Sequence, residues 1–139
     1  MSAGEKHMRN NVVVDTGVLG LFFGQDPRLR GYLAAFEGEG TRGYIAGVNL
    51  AEFYHKTCRT LGRQTADARF HILLNGDLDV VEDTELDRAA GVEKCGNPHG
   101  LSLADCYTLA LSKRVNGLLL TTDENLAKSR GVKTQHFPV

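Results

Sequence analysis

At 139 residues the chain is long enough to bury one proper core, and with 42% apolar and 24% charged residues it is neither disordered nor collagenous. No apolar run approaches the length of a membrane span, which excludes a transmembrane helix. The formal net charge of −1 gives no global support to nucleic-acid binding, which ordinarily wants a basic field.

Residues 1–8 are polar and lack the apolar stretch of a secretory signal, so they read as a flexible N-terminal extension. Val12, Val13 and Val14 form a β-branched run that ends in Asp15. Thr16-Gly17 and the apolar stretch 18–23 follow, which together read as a buried strand, a tight turn and a helix start. Pro27 restarts a helical segment that runs to about Phe36, and the glycine-rich stretch 37–43 ends it. Tyr44, Ile45 and Ala46 make a short second strand. Leu50, Phe53, Tyr54, Thr57, Cys58 and Leu61 fall at helical spacing and predict an amphipathic helix from about 49 to 61.

A further helix over 65–74 closes on Asn75-Gly76, a third strand covers 78–81, and another helix covers 84–94. The loop 96–100, rich in glycine and proline, leads into a strongly apolar helix over 103–115, capped by Asn116-Gly117. Residues 118–120 are a fourth strand, 124–129 a short helix and 134–138 an edge strand. Strands alternating with helices predict an α/β domain with a parallel sheet covered on both faces, and the absence of repeats or linkers predicts one domain over 9–139.

Cys58, Cys95 and Cys106 are an odd set without C-x-x-C spacing. Two of them lie in apolar helical stretches, where free cysteine packs as a small hydrophobe. A disulfide framework is not expected, and the reducing cytoplasm is the expected compartment. The five histidines are scattered without zinc spacing.

The chemistry lies in four acids. Ligands of open parallel sheets collect beyond the carboxyl ends of the strands. Asp15 lies at the end of the first strand and Asp123 just past the fourth, while Glu52 enters the helix after the second. Asp105 is one turn into the helix leading to the fourth strand, which begins at the end of the sheet where the other strands finish. Two carboxylates about 5 Å apart repel by roughly 3 kcal/mol at an effective dielectric near 20. A hard divalent cation relieves that repulsion, and magnesium or manganese suits a few carboxylates plus a phosphate. Such an ion supplies activated water and charge stabilisation for phosphodiester hydrolysis.

Each acid also has a purely structural reading. Asp15 and Asp123 are suited to cap helices. Asn49-x-x-Glu52 and Ser102-x-x-Asp105 both have the form of a capping box. Asp105 resists dismissal most strongly, being the sole charged residue between Leu101 and Leu111, where an unpartnered charge is costly.

With these residues in place, the sequence resembles the PIN-domain family, and most closely the VapC-type toxins of prokaryotic toxin–antitoxin pairs. The resemblance runs from Val12 to about Val139. Val12-Val13-Val14-Asp15-Thr16-Gly17-Val18-Leu19 resembles the family's opening strand, whose aspartate is a metal ligand. Val48-Asn49-Leu50-Ala51-Glu52-Phe53-Tyr54 is similar to its second motif, and Leu101-Ser102-Leu103-Ala104-Asp105-Cys106 to its third and most distinctive one. Leu119-Leu120-Thr121-Thr122-Asp123-Glu124-Asn125-Leu126 resembles the fourth, with Thr121 matching a hydroxyl that supports the acidic centre.

The resemblance implies a three-layer α/β/α sandwich with a mostly parallel central sheet. It further implies Mg2+ or Mn2+ as cofactor, endoribonuclease activity on an RNA substrate, a homodimer and a small antitoxin partner that blocks the site. Asp15 and Asp105 would be the primary ligands, with Glu52 and Asp123 acting directly or through water.

Rival readings are fewer. A catalytically inactive PIN-like module binding RNA or protein would share these motifs, although all four acids are retained. A haloacid-type phosphatase wants a second aspartate two residues after the first, where this chain has Gly17. No glycine-rich stretch ends in Lys-Ser or Lys-Thr, which excludes a P-loop enzyme. Glu52-x-x-His55 matches half of a di-iron bundle motif, and its second copy is absent. His55 and Lys56 stand one turn from Glu52, within reach of a substrate phosphate, and as surface groups they are equally suited to solvent. Lys56, Arg59, Arg63, Lys113, Arg114, Lys128 and Arg130 could contact an RNA backbone, but no dense cluster stands out. Phe22, Phe23, Phe36 and Tyr54 suit a core or a dimer interface better than base stacking.

Overall fold

The structure is a computed structural model and describes residues 10–139. The extension expected over 1–8 lies outside the described residues. Five parallel strands form one sheet in the order β3-β2-β1-β4-β5. They are β1 (Asn10–Val14), β2 (Thr41–Ala46), β3 (Leu78–Val81), β4 (Leu118–Thr121) and β5 (Lys133–His136). The helices are α1 (Thr16–Phe23), α2 (Arg30–Glu37), α3 (Gly47–Leu61), α4 (Arg63–Leu74), α5 (Thr84–Gly96), α6 (Leu103–Val115) and α7 (Glu124–Ala127). A 3-10 turn, Pro27–Leu29, precedes α2.

Side chains alternate across a strand, and this period builds the three layers. Val12 and Val14 point into one apolar cluster with Leu19, Phe36, Leu50, Phe53 and Leu120. Val13 points the opposite way, into a cluster with Leu86, Leu109, Leu111, Leu119 and Leu126. The first cluster packs α1 to α4 and the second packs α5 to α7. A strand buried on both faces needs a continuous apolar run, and β1 has one. Each fully buried valine or leucine contributes about 1.5–3 kcal/mol. Among the described residues, no helix is long and apolar enough to cross a membrane.

The observed α/β/α sandwich with its parallel sheet agrees with the sequence reading, with two local departures. The glycine-rich stretch 37–43 does not remain a loop, because β2 begins at Thr41 and runs through Gly43. A Cβ on Gly43 would fall 2.6 Å from Leu78 Cδ2 and 3.0 Å from Phe36 Cε1. Glycine is therefore used in this strand to admit close neighbours rather than to break it.

The second departure concerns α3, which starts at Gly47 with Ala46 as its N-cap. Asn49 is thus inside the helix, and Asn49-x-x-Glu52 is not a capping box. Gly47 leaves room for the Glu82 side chain, whose Oε1 would lie 2.1 Å from an added Cβ.

Candidate metal centre

The register of β1 against β4 pairs Val14 with Leu120, and it carries Asp15 up to Thr121. Asp15 is the N-cap of α1, and its Oδ1 accepts the Val18 N–H at 2.9 Å. Its Oδ2 accepts from the Thr121 hydroxyl and from the Thr122 N–H at 3.2 Å. The Thr121 hydroxyl in turn accepts the Asp123 N–H at 2.9 Å. One hydroxyl therefore fixes the first and fourth acids of the set. Gly17 makes the approach possible, since a Cβ there would lie 2.0 Å from Thr122 Oγ1 and 3.1 Å from its Cβ.

Asp123 caps α7 through the Leu126 N–H at 2.8 Å. Asp105 and Ser102 form a reciprocal capping box at the start of α6. The structural readings of Asp15, Asp105 and Asp123 as caps are therefore correct as far as they go. Glu52 is half-buried on α3 and, among the described residues, makes no hydrogen bond or ion pair.

Electrostatics sets these acids apart. Asp15 is only 5% exposed, and burial pushes its carboxyl above the ordinary range. The hydrogen bonds from Thr121, Val18 and Thr122 pull it back, and the Asp105 charge pushes it further up. Burial also raises the Asp105 carboxyl, Ser102 opposes the shift, and the charges of Asp123 and Glu52 add to it. Asp105 is thus the common electrostatic neighbour of the other three.

Ion pairs join Asp26 to Arg28, Asp79 to Arg42, Glu93 to Lys113, Asp83 to Arg114 and Glu124 to Lys128. None of the four acids takes part in one among the described residues. Three basic side chains suited to an RNA backbone, Lys113, Arg114 and Lys128, are instead engaged by neighbouring acids.

A closed cage for a bare ion is not present. Among the described residues, no three His, Cys, Asp or Glu side chains form a group that could hold a metal ion. The donors still fit a hard cation of the magnesium type, which takes one or two carboxylates and keeps its remaining waters. Zinc-type coordination, with four protein ligands, does not fit.

A buried polar network between the helices that carry these acids has no counterpart in the sequence reading. Asn49 is 2% exposed, and its Nδ2 donates to Thr16 Oγ1 at 3.1 Å. Thr108 is 1% exposed and donates its hydroxyl to Asn49 Oδ1 at 3.0 Å. The Thr16 hydroxyl donates to the Asn49 carbonyl at 3.4 Å. The signal for it in the sequence is an asparagine on the Leu50–Phe53–Thr57 face of an amphipathic helix.

The PIN domain family model matches residues 12–131. No curated protein matches the sequence. The fold is similar to VapBC2 from Rickettsia felis bound to a DNA fragment from its promoter, with a TM-score of 0.72 and 11% identity, over 91% of this chain and 98% of that one. It is similar to DNA-bound VapBC from Salmonella typhimurium, with a TM-score of 0.72 and 14% identity over 91% and 98% of the two chains. VapC20 from Mycobacterium tuberculosis, a Sarcin-Ricin loop cleaving toxin, aligns with a TM-score of 0.65 and 16% identity over 84% and 92%. A family match over that span of residues, joined to this fold, settles the classification: the chain belongs to the PIN domain family.

Proposed function

We propose that this chain is a divalent-metal-dependent endoribonuclease, a single nuclease domain over residues 9–139, and the toxin of a toxin–antitoxin pair. The observation that carries the reading is a buried aspartate, Asp15, raised by burial and by Asp105 and given no cationic partner among the described residues. Burying a carboxylate without a cationic partner is costly, and a bound cation would offset that cost where protonation otherwise does.

Asp15 and Asp105 would hold Mg2+ or Mn2+, with Glu52 and Asp123 acting directly or through water. The bound ion would supply Lewis-acid stabilisation of the phosphodiester oxygens and activation of water. The chain's own contribution is placement. Thr121 and the N–H groups of Val18 and Thr122 fix the Asp15 carboxylate, and Ser102 fixes that of Asp105. Glu52, free of any cap, is the group best able to orient an attacking water and take up its proton.

An apolar groove of about 300 Å³ supports the antitoxin partner. It lies between α1, α2 and α4 and is lined by Phe22, Phe23, Leu33, Phe36, Ile72 and Leu73. Ile72 is 60% exposed there, an apolar surface suited to a partner helix. The homodimer and the cytoplasmic setting come with the toxin reading, as do the VapBC complexes among the similar structures.

A second reading, an inactive module that binds RNA or protein without cutting it, is favoured by the lack of a preformed three-ligand group among the described residues. One experiment separates the two. RNA cleavage is assayed for wild type and Asp105→Asn, each with and without a chelator. Activity only in metal-loaded wild type is the expected result, and equal cleavage in all four reactions rejects the mechanism.

A further inference from the structure

The buried network Thr16–Asn49–Thr108 touches none of the four carboxylates, yet each member lies beside one of them in sequence. Thr16 follows Asp15 directly. Asn49 stands three residues before Glu52, and Thr108 three residues after Asp105, so each shares a helix face with its acid. The three residues belong to three different helices, α1, α3 and α6. Asn49 bridges them, with its amide donating to Thr16 at 3.1 Å and its carbonyl oxygen accepting from Thr108 at 3.0 Å.

We propose that Asn49 and Thr108 are positioning residues that lock α1, α3 and α6 in the register which sets Asp15, Glu52 and Asp105 where a hydrated cation would bind. The inference rests on the metal-dependent reading above. Apolar packing fixes the separation of helices well but their axial slide poorly, because neighbouring ridges and grooves repeat along each helix. A directed hydrogen bond has one acceptable register. Asp105 is repelled by the charges of Glu52 and Asp123 and itself acts on Asp15, and a hydrogen-bonded clamp between the helices that carry these acids resists that repulsion.

The network is complete. Among the described residues, no buried side-chain nitrogen or oxygen lacks a partner. Thr108 also shares its hydroxyl with the Ala104 carbonyl at 3.3 Å, within the turn that carries Asp105. Loss of that hydroxyl leaves Asn49 Oδ1 without its donor and frees α6 to slide.

The test measures Mn2+ affinity by calorimetry alongside the urea unfolding midpoint and RNA cleavage. The variants are Thr108→Val, Thr108→Ser and Asn49→Leu. Val80→Ala on β3, remote from the network, serves as a destabilised control. Thr108→Val and Asn49→Leu are expected to weaken Mn2+ binding about tenfold or more, in line with other groups that orient metal ligands. Thr108→Ser should return it to within about threefold of wild type, and Val80→Ala should leave it unchanged.

Full affinity in Thr108→Val and Asn49→Leu would overturn the clamp alone, and so would an equal loss in Thr108→Ser or in the control. A wild type that binds no Mn2+ would instead fail the metal reading itself and take the clamp with it. A variant that does not fold is replaced by its partner, since removing either end breaks the same hydrogen bond.

Discussion

Two groups of carboxylates in this domain are treated in opposite ways. On the flank, Asp83 caps α5 and is gripped by both terminal guanidinium nitrogens of Arg114, Nη1 at 2.7 Å and Nη2 at 2.9 Å. That partner holds its carboxyl down at about 2. At the carboxyl end of the sheet, Asp15 and Asp105 also cap helices, yet no basic side chain meets them among the described residues, and both are pushed up. The capping role is common to both groups and so cannot explain the difference. What differs is burial, which pushes Asp15 and Asp105 up, together with the absence of a counter-charge, and a cation site combines the two.

The largest expected effect follows from supplying that counter-charge. Saturating Mn2+ at a hundredfold over its Kd should stabilise wild type by about 2.7 kcal/mol, which is roughly 10 °C in Tm for a domain of this size. Asp15→Asn should show almost none of this shift, while Asp83→Asn should keep all of it. Thermal melts with and without metal decide the matter. An equal shift in wild type and Asp15→Asn would place the metal elsewhere and remove the contrast between the two regions.

A smaller effect is expected at Gly17. Its added Cβ would meet Thr122 Oγ1 at 2.0 Å, with the Thr122 Cβ and Cγ2 also inside ordinary contact distance. Gly17→Ala should therefore destabilise the domain by about 1–3 kcal/mol through overpacking. It should also disturb the Thr122 N–H that Asp15 accepts. A urea midpoint equal to that of wild type would show that Thr122 moves aside freely, and that Gly17 has no part in shaping the acidic end.

The sequence made the layers legible because β1 must be apolar on both faces, and Val12, Val13 and Val14 say so directly. The placement of Asp15, Asp105 and Asp123 was legible as well, because strand ends and helix starts in a parallel fold converge on one edge. Gly43 misled the reading of β2, since a glycine in a strand looks like a break until Leu78 and Phe36 are seen to occupy its empty side. Asn49 misled it for a different reason. An Asn-x-x-Glu spacing has the form of a capping box, but the helix begins two residues earlier, at Gly47, with extended Ala46 as its N-cap. The pairing of Thr108 with Asn49 spans 59 residues and leaves no local trace in the sequence.

The smallest expected effect sharpens the comparison through its sign. A carboxyl raised in the folded state binds its proton more tightly there than when unfolded. For Asp105, stability is therefore lost as the pH rises from the ordinary value near 3.8 through the raised folded value, and the metal-free protein carries the penalty at neutral pH. Asp105→Asn keeps an oxygen for the Ser102 N–H, so it should raise the metal-free Tm at pH 7, with the gain fading as the pH falls towards 3.8. Asp83 runs the other way. Its folded value of about 2 lies below the ordinary 3.8, so its contribution is full above 3.8 and is lost as the pH falls towards 2. Asp83→Asn should thus lower Tm at pH 7 and lose that deficit in acid. Melts of the two variants from pH 7 to pH 2 should differ from wild type in opposite directions at neutral pH and draw towards it in acid. If both variants lowered Tm at neutral pH, Asp105 would be an ordinary cap and not a charge held ready for a cation.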